Sequence, residues 1–477
     1  MNKSLTNTSE ILTIILVLFL FIGIRLLSIY ITPLELSADE SQYWLWSNDL
    51  NWGYFSKPPM IAWIISLSNS LIGDQPFGIR FFAPILHGIT GLTIYFLTRK
   101  LTENNKEISL ISLLIWLSLP IIGVGSFIIS TDTPLMLIWS LGLVSIYYAK
   151  NQKNHFIWFL SGAIAGFAML AKYAAVFLPL GLILWLLFGK NEKNLNKFIV
   201  LIVYIFGFFI VWSPNLLWNF SNEFSTINHL SDNAVTSSPN FSFFGSFIFL
   251  SSQLFVLGPI FFFISIVSVW GFWKDSETHH WIGWFALPVY IIMVIQGFFS
   301  EANANWAATA LPSLTIFCSI FLKNGKFFPI LGIFINTLIS LFILMIIING
   351  SFNPINLKSD PLRRLKGWET LASNIEQINY EYIVVSRRGV AAPLIYYLRD
   401  TNKKIRVISS FENPKNYYQK HYAFNPKENN ELLFVSEDKE YLPFDKESFS
   451  IIPLKNIKIQ VSKNKTRNLY FFHVKRK

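Results

Sequence analysis

The chain has 477 residues, of which 52% are hydrophobic and 14% charged, and its formal charge is +11. Apolar runs long enough to cross a bilayer recur from Ile11 to Asn349, which excludes the roughly two to four soluble domains that this length would otherwise suggest. The charge is uneven: from Gly350 onward 23 Lys and Arg face 13 Asp and Glu, so a basic polar tail follows a membrane region of little net charge.

These features predict a polytopic α-helical membrane protein over residues 1–349 with a small C-terminal α/β soluble domain over 350–477. About eleven transmembrane helices can be marked, starting near Ile11, Gly78, Ile108, Thr133, Phe156, Ala174, Phe198, Phe243, Trp281, Trp306 and Phe327. The first run, Ile11 to Ile31, is too long for a signal-peptide core and no A-x-A-like site follows it, so it reads as a span. Pro59 to Gly73 is apolar but short and reads as an interfacial helix. The Lys172 region fits either two helices or one broken helix.

Alternate loops carry Lys3; Arg99, Lys100 and Lys106; Lys150 and Lys153; Lys190, Lys193 and Lys197; Lys274; and Lys323 and Lys326. The opposite loops hold Lys57 and Lys172, with Arg80 at a helix start. Twelve basic residues against three place the first set in the cytoplasm, with the N-terminus inside and the tail outside. Asp39, Glu40, Lys57, Asp132, Lys172 and Glu301 then all fall at outer helix ends or in outer loops, and ionisable groups so placed usually face a cavity or a partner.

The first outer loop, 32–59, contains Ser37-Ala38-Asp39-Glu40-Ser41-Gln42-Tyr43-Trp44 and then Trp52-Gly53-Tyr54-Phe55-Ser56-Lys57-Pro58-Pro59. One reading is structural: Ser37 and Glu40 have capping-box spacing, the aromatic residues suit an interface, and Lys57 snorkels to head groups. The other is chemical. Asp39 can take a proton from an attacking hydroxyl, and Lys57 can balance charge on a departing lipid phosphate. Tyr43, Trp44, Trp46 and Tyr54 then offer faces for stacking on sugars. In Ser130-Thr131-Asp132-Thr133-Pro134, Pro134 as the first helical residue capped by Asp132 or Thr133 competes with Asp132 as a second site acid.

The first loop, the Ser-Thr-Asp-Thr-Pro turn and Leu170-Ala171-Lys172-Tyr173 together resemble the bacterial GT-C glycosyltransferases, above all the aminoarabinose lipid A transferases and the protein O-mannosyltransferase-like family. Ser300-Glu301-Ala302-Asn303-Ala304-Asn305-Trp306 is similar to that family's late outer loop, and Asp360 to Trp368 to its junction with an outer soluble domain. The resemblance implies Asp39 as the principal catalytic carboxylate, Asp132 as a second acid and Glu40 in support. It implies Lys57 at the lipid phosphate. From their own chemistry and place, Lys172 is a candidate second cation there and Tyr43, Trp44, Tyr54 and Glu301 are candidates on the substrate side, while Lys172 and Glu301 equally fit residues that mark the interface.

The expected activity is transfer of a sugar from a polyprenyl monophosphate to lipid A or another glycolipid at the outer face of a bacterial inner membrane. A protein acceptor is the alternative within the class. A secondary transporter is the alternative outside it, disfavoured because the charges lie at outer helix ends and no internal repeat is found. No cofactor, metal or nucleic acid partner is expected: metal-ligand spacing, a phosphate-binding glycine loop and nucleic-acid motifs are absent from the sequence. His87 is expected to be packed and hydrogen-bonded within a span, His279-His280 to lie on the cytoplasmic side, and Cys318 to be a lone thiol in an apolar run. In the tail, strands are expected at Tyr382–Ser386, Ile405–Ile408 and Leu432–Val435, with helices at Lys366–Gln377 and Ala391–Arg399. They carry no catalytic constellation of their own, and the tail's role is to cover the cavity or to grip an acceptor, a phosphorylated one suiting its basicity.

Overall fold

The computed structural model describes residues 2–152, 154–189, 196–234, 241–274, 280–321, 325–351, 360–409, 414–427, 430–462 and 465–477. Lys153, Lys190, Lys193, Lys323 and His279, named above for topology, lie outside the described residues. Two compact units are present, and the first comprises Met1–Tyr30, Lys57–Ile61 and Arg80–Met345.

This first unit is helical, and across the whole chain helices stand at all eleven expected positions. Among the described residues six are long and apolar enough to cross a membrane, and a bent pair makes a seventh, so length and composition alone do not give eleven spans. The shortfall has local causes. Helix Lys106–Ser118 stops before Pro120, whose ring and missing N–H cannot continue it. Helix His155–Met169 is followed by Lys172 in extended backbone, then by a short 3₁₀ turn and helix Phe177–Phe188. The region is therefore two short apolar helices separated at Lys172, neither of them long enough to count as a span by itself.

The bent pair replaces the continuous span expected from Phe243. Phe243–Leu257 and the apolar helix that begins at Pro259 meet at 115°. Gly258 between them has φ +80°, which only glycine adopts freely, and a Cβ there would lie 1.7 Å from Asn336 Oδ1. Asn336 Nδ2 donates to the Leu257 carbonyl (2.8 Å), satisfying a backbone group that the break frees in an apolar setting.

Helices His155–Met169 and Lys197–Ser221 are in backbone contact. A Cβ on Gly162 would lie 1.9 Å from the Tyr204 carbonyl oxygen, and one on Gly166 2.2 Å from that of Phe208. These glycines are four apart, a G-x-x-x-G stripe that lets two helices approach where lipid offers no hydrophobic drive to association. Elsewhere in the unit His87 is fully buried beside Trp116, whose indole N–H donates to the His87 carbonyl (2.9 Å), and Cys318 is a buried free thiol.

The second unit joins Ile31–Ser56, Ala62–Ile79 and Ile346–Lys477. Its centre is a six-stranded sheet of β1 (Tyr382–Val385), β2 (Lys404–Val407), β3 (Glu431–Ser436), β4 (Phe449–Pro453), β5 (Ile457–Ser462) and β6 (Lys465–Arg476), in the order β2-β1-β3-β6-β4 with β5 also on β6. β1 runs parallel to β2 and β3, while β6 runs antiparallel to β3, β4 and β5. Side chains alternate between faces as a pleat requires. Ile383, Val385, Leu433, Val435, Leu469 and Phe471 build one core with helices Trp368–Glu376 and Arg388–Tyr397, and Val384, Phe434, Phe472 and Val474 build the other.

The loop after the first helix belongs to this unit. Helix Ala38–Ser47 lays Ala38 and Leu45 on the first of these cores. Just before it, the Glu35 carboxylate accepts the backbone N–H groups of Gly367 (3.0 Å), Trp368 and Glu369 at the start of helix Trp368–Glu376, whose N-cap, Gly367, has no side chain to do so. Burial pushes the Glu35 carboxyl above its ordinary range, and the three amides pull it back.

Two outcomes are expected. Gly166→Val forces the paired helices apart and lowers stability by roughly 1–3 kcal/mol, read as an earlier thermal transition in detergent. Glu35→Ala removes the borrowed cap and costs about 1 kcal/mol, read as faster hydrogen exchange confined to the amides of residues 367–369.

Candidate active site

In the first unit the site residues meet at the start of helix Asp132–Gln152. Lys172 Nζ lies 2.6 Å from Asp132 Oδ1, and Asn305 Nδ2 donates to Asp132 Oδ2 (3.1 Å). Both carboxylate oxygens are thus engaged by side chains, and the side chains of Asp132 and Lys172 are 13% and 19% exposed. This corrects the capping reading of the turn. The helix begins at Asp132 itself, Pro134 is its third residue, and the carboxylate reaches across to two other elements. Its place in the first turn also sets the negative charge at the positive end of the helix dipole.

Lys172 gets there because the chain between two helices is extended at that residue, with φ −161° and ψ 140°. The Met60 N–H donates to the Leu170 carbonyl (3.0 Å), which holds the segment after Lys57 against the same turn. Lys57 is half-buried, between the buried Gly53-Tyr54 and Pro58-Pro59 pairs. From residues 300–306 the side chain that reaches the carboxylate is that of Asn305, in the 3₁₀ turn Ala304–Ala310, while Glu301 is exposed ahead of it.

In the second unit Asp39 lies in the first turn of helix Ala38–Ser47 with its side chain 64% exposed. The Arg388 guanidinium pairs with Asp39 Oδ1 and donates through Nε to Gln42 Oε1 (2.8 Å). Asp39 and Gln42 are three apart, so both lie on the helix face toward Arg388. Glu40 is fully buried and closes a capping box: its Oε2 accepts the Ser37 N–H (3.0 Å) and its own N–H donates to Ser37 Oγ (3.2 Å). The structural role foreseen for Glu40 is therefore present.

The loop aromatics are packed on one another. Tyr54 stacks on Trp46 at 4.7 Å, Tyr43 is tilted against Trp46 at 5.7 Å, and Trp44 meets Tyr396 edge-on at 4.9 Å. All four are buried, so their faces stiffen the loop that carries Asp39. The Tyr54 hydroxyl accepts the Asn51 N–H (3.1 Å) and lies 3.0 Å from the Trp46 carbonyl.

Arg388 and Asn305 were not singled out from the sequence. Asn305 sits in the quoted 300–306 motif, where a second amide after the charged candidate Glu301 was the available signal. Arg388 follows Arg387 at the end of an apolar strand, and such a pair reads equally well as surface charge.

The chain is a polytopic membrane glycosyltransferase with the GT-C fold, as its helices, its C-terminal sheet domain and its likeness to known proteins agree. Residues 56–218, about a third of the chain, match the dolichyl-phosphate-mannose-protein mannosyltransferase family. Over 413 residues, 84% of this chain and 85% of the other, it is 27% identical to the lipid A galacturonosyltransferase RgtD of Rhizobium johnstonii. It is 27% identical over 199 residues, 37% of this chain and 36% of the other, to an undecaprenyl phosphate-α-4-amino-4-deoxy-L-arabinose arabinosyl transferase of Pseudomonas fluorescens. The crystal structure of ArnT from Cupriavidus metallidurans without ligand superposes with a TM-score of 0.72 over 98% of both chains at 11% identity. The same enzyme bound to undecaprenyl phosphate gives 0.69 at 12% identity, again over 98% of both chains.

The Asp132–Lys172 pair is open to direct measurement. Lys172→Met leaves a shielded carboxylate with one neutral partner and is expected to cost roughly 3 kcal/mol in detergent unfolding. Adding Asp132→Asn removes the unpaired charge and recovers part of the loss. Strict additivity of the two changes would mean that the pair is not energetically coupled.

Proposed function

We propose that the chain moves a sugar from a polyprenyl monophosphate to lipid A or a related glycolipid on the outer face of a bacterial inner membrane. The supporting observation is its likeness to a lipid A galacturonosyltransferase along 84% of its length. That likeness favours a glycolipid acceptor over the protein acceptor in the name of the family matched by residues 56–218. The superposition on a neighbour that holds undecaprenyl phosphate supports a donor of that kind. In this reading the N-terminus is cytoplasmic, the helices within residues 1–349 carry the chain through the membrane, and residues 350–477 form a periplasmic domain that includes the Asp39 loop in its fold rather than starting cleanly at residue 350.

Asp39 is the general base. Its carboxylate is solvent-accessible, and Arg388 and the helix carrying it fix its direction. It takes the proton of the acceptor hydroxyl as the oxygen attacks the anomeric carbon and the bond from that carbon to the donor phosphate oxygen breaks. Lys57 meets the charge that collects on the departing phosphate. Asp132, Lys172 and Asn305 form a preorganised polar cluster that binds donor or acceptor hydroxyls, and an incoming phosphate competes with Asp132 for Lys172. Glu40 and the buried aromatics hold Asp39 in place. Inversion at the anomeric carbon follows from a single displacement.

The test uses purified protein in detergent with a polyprenyl-phosphate-linked sugar and a glycolipid acceptor. Asp39→Asn is expected to lower transfer by about a thousandfold while the protein stays folded, since one positioned base contributes on that order. Lys57→Ala is expected to weaken polyprenyl phosphate binding by about tenfold or more, the loss of one charge-assisted contact. Full transfer by a folded Asp39→Asn protein excludes the mechanism, and solute uptake in vesicles without transfer favours a transporter.

A further inference from the structure

The C-terminal unit contains a cleft of about 760 Å³ that opens beside Asp39. Its cations are Arg363, Arg364, Arg387, Arg388, Lys465 and Arg467, and its carboxylates are Asp39 and Glu437, a net charge of +4. Glu437 pairs with Arg387, and Asp39 pairs with Arg388. Arg467 lies 3.9 Å from Glu437 but is committed to the wall: its guanidinium stacks 3.4 Å over the Trp368 ring, and Nη2 donates to the Arg363 carbonyl (3.2 Å).

The remaining Nη1 of Arg467 is buried and has no hydrogen-bond partner among the described residues. A guanidinium that is 11% exposed and stacked on an indole is a rigid, preoriented donor. Burial lowers its pKa to about 10, which still leaves it charged at neutral pH. A surface that only kept the domain soluble would disperse its cations, whereas these line one concavity with fewer carboxylates than they need. Guanidinium forks match the oxygens of a phosphate, and several of them favour a dianion over a carboxylate.

We infer that this cleft binds a phosphate monoester carried on a sugar of the acceptor, at a position other than the one attacked, and so sets which hydroxyl is presented to Asp39. The inference rests on the glycolipid reading above and adds to it a binding site on the soluble domain. A bulk phospholipid head group offers the same phosphate chemistry, and the test separates the two sources.

The full-length protein in detergent is titrated with a glucosamine disaccharide bearing one phosphate monoester, with the same disaccharide lacking it, with inorganic phosphate, and with phosphatidylglycerol vesicles. The exposed-residue variant Arg364→Gln/Lys465→Gln is compared with wild type, with matching thermal transitions as the check on folding. The phosphorylated disaccharide is expected to bind at least about tenfold tighter than the plain one, with about a tenfold loss in the variant and polyprenyl phosphate binding unchanged. Equal binding of the two disaccharides overturns the inference. So does equally tight binding of inorganic phosphate or of the vesicles, or a parallel loss of polyprenyl phosphate binding in the variant. Asp39→Asn separates the two levels: transfer retained by that variant defeats the enzyme mechanism whatever the cleft binds, whereas phosphate-dependent binding retained without transfer leaves the cleft assignment standing.

Discussion

A carboxylate on an extramembranous loop is chemically useful only if something fixes its direction, and here the fixing group comes from 349 residues later in the chain. The Arg388 guanidinium holds Asp39 and Gln42 together, and it can do so because helix Arg388–Tyr397 is itself seated on the sheet core. The capping box of Ser37 and Glu40, the Glu35 cap and the stacked Trp46 and Tyr54 all serve the same end. Each removes a freedom that a loop of this length would otherwise keep, at a cost in chain entropy of order 1–2 kcal/mol per residue ordered. The C-terminal sheet is therefore the foundation of the first loop.

The two acidic positions are held in different ways. Asp132 is sheltered, with both oxygens occupied and its cation partner equally sheltered, so breaking the pair is costly. Asp39 is largely exposed and its pair with Arg388 is screened by water, so that contact orients more than it stabilises. An exposed carboxylate on a rigid support can meet an acceptor without a large desolvation penalty. A sheltered carboxylate with fixed donors suits recognition of hydroxyl groups.

Much of this was legible in the sequence, for reasons that differ by region. Long apolar runs located the helices, because hydrocarbon leaves the backbone no alternative. Their bends were less visible: Gly258-Pro259 was a readable breaker, but the Asn336 amide that completes the break is 78 residues away. In the tail, Tyr382–Val385 and Glu431–Ser436 were found as apolar runs, whereas β4, β5 and β6 were missed. β6 alternates Leu469 and Phe471 on one face with Phe472 and Val474 on the other, and its Lys, Arg and Asn residues disguise that pattern as a basic tail. Asp39, Asp132 and Lys57 were singled out because charge is rare among the apolar runs of residues 1–349. Arg388 was not, because charge is common in the tail.

β6 has a consequence for how the molecule is made. It pairs with β3, β4 and β5, yet it is the last of the six strands in sequence. The sheet cannot close until those residues have left the ribosome, whereas residues 31–56, which pack on that sheet, are among the first to be made. For most of synthesis the loop bearing Asp39 is consequently without its support, as expected of contacts so distant in sequence. The first loop thus gains its full support only when the last strand of the sheet is in place.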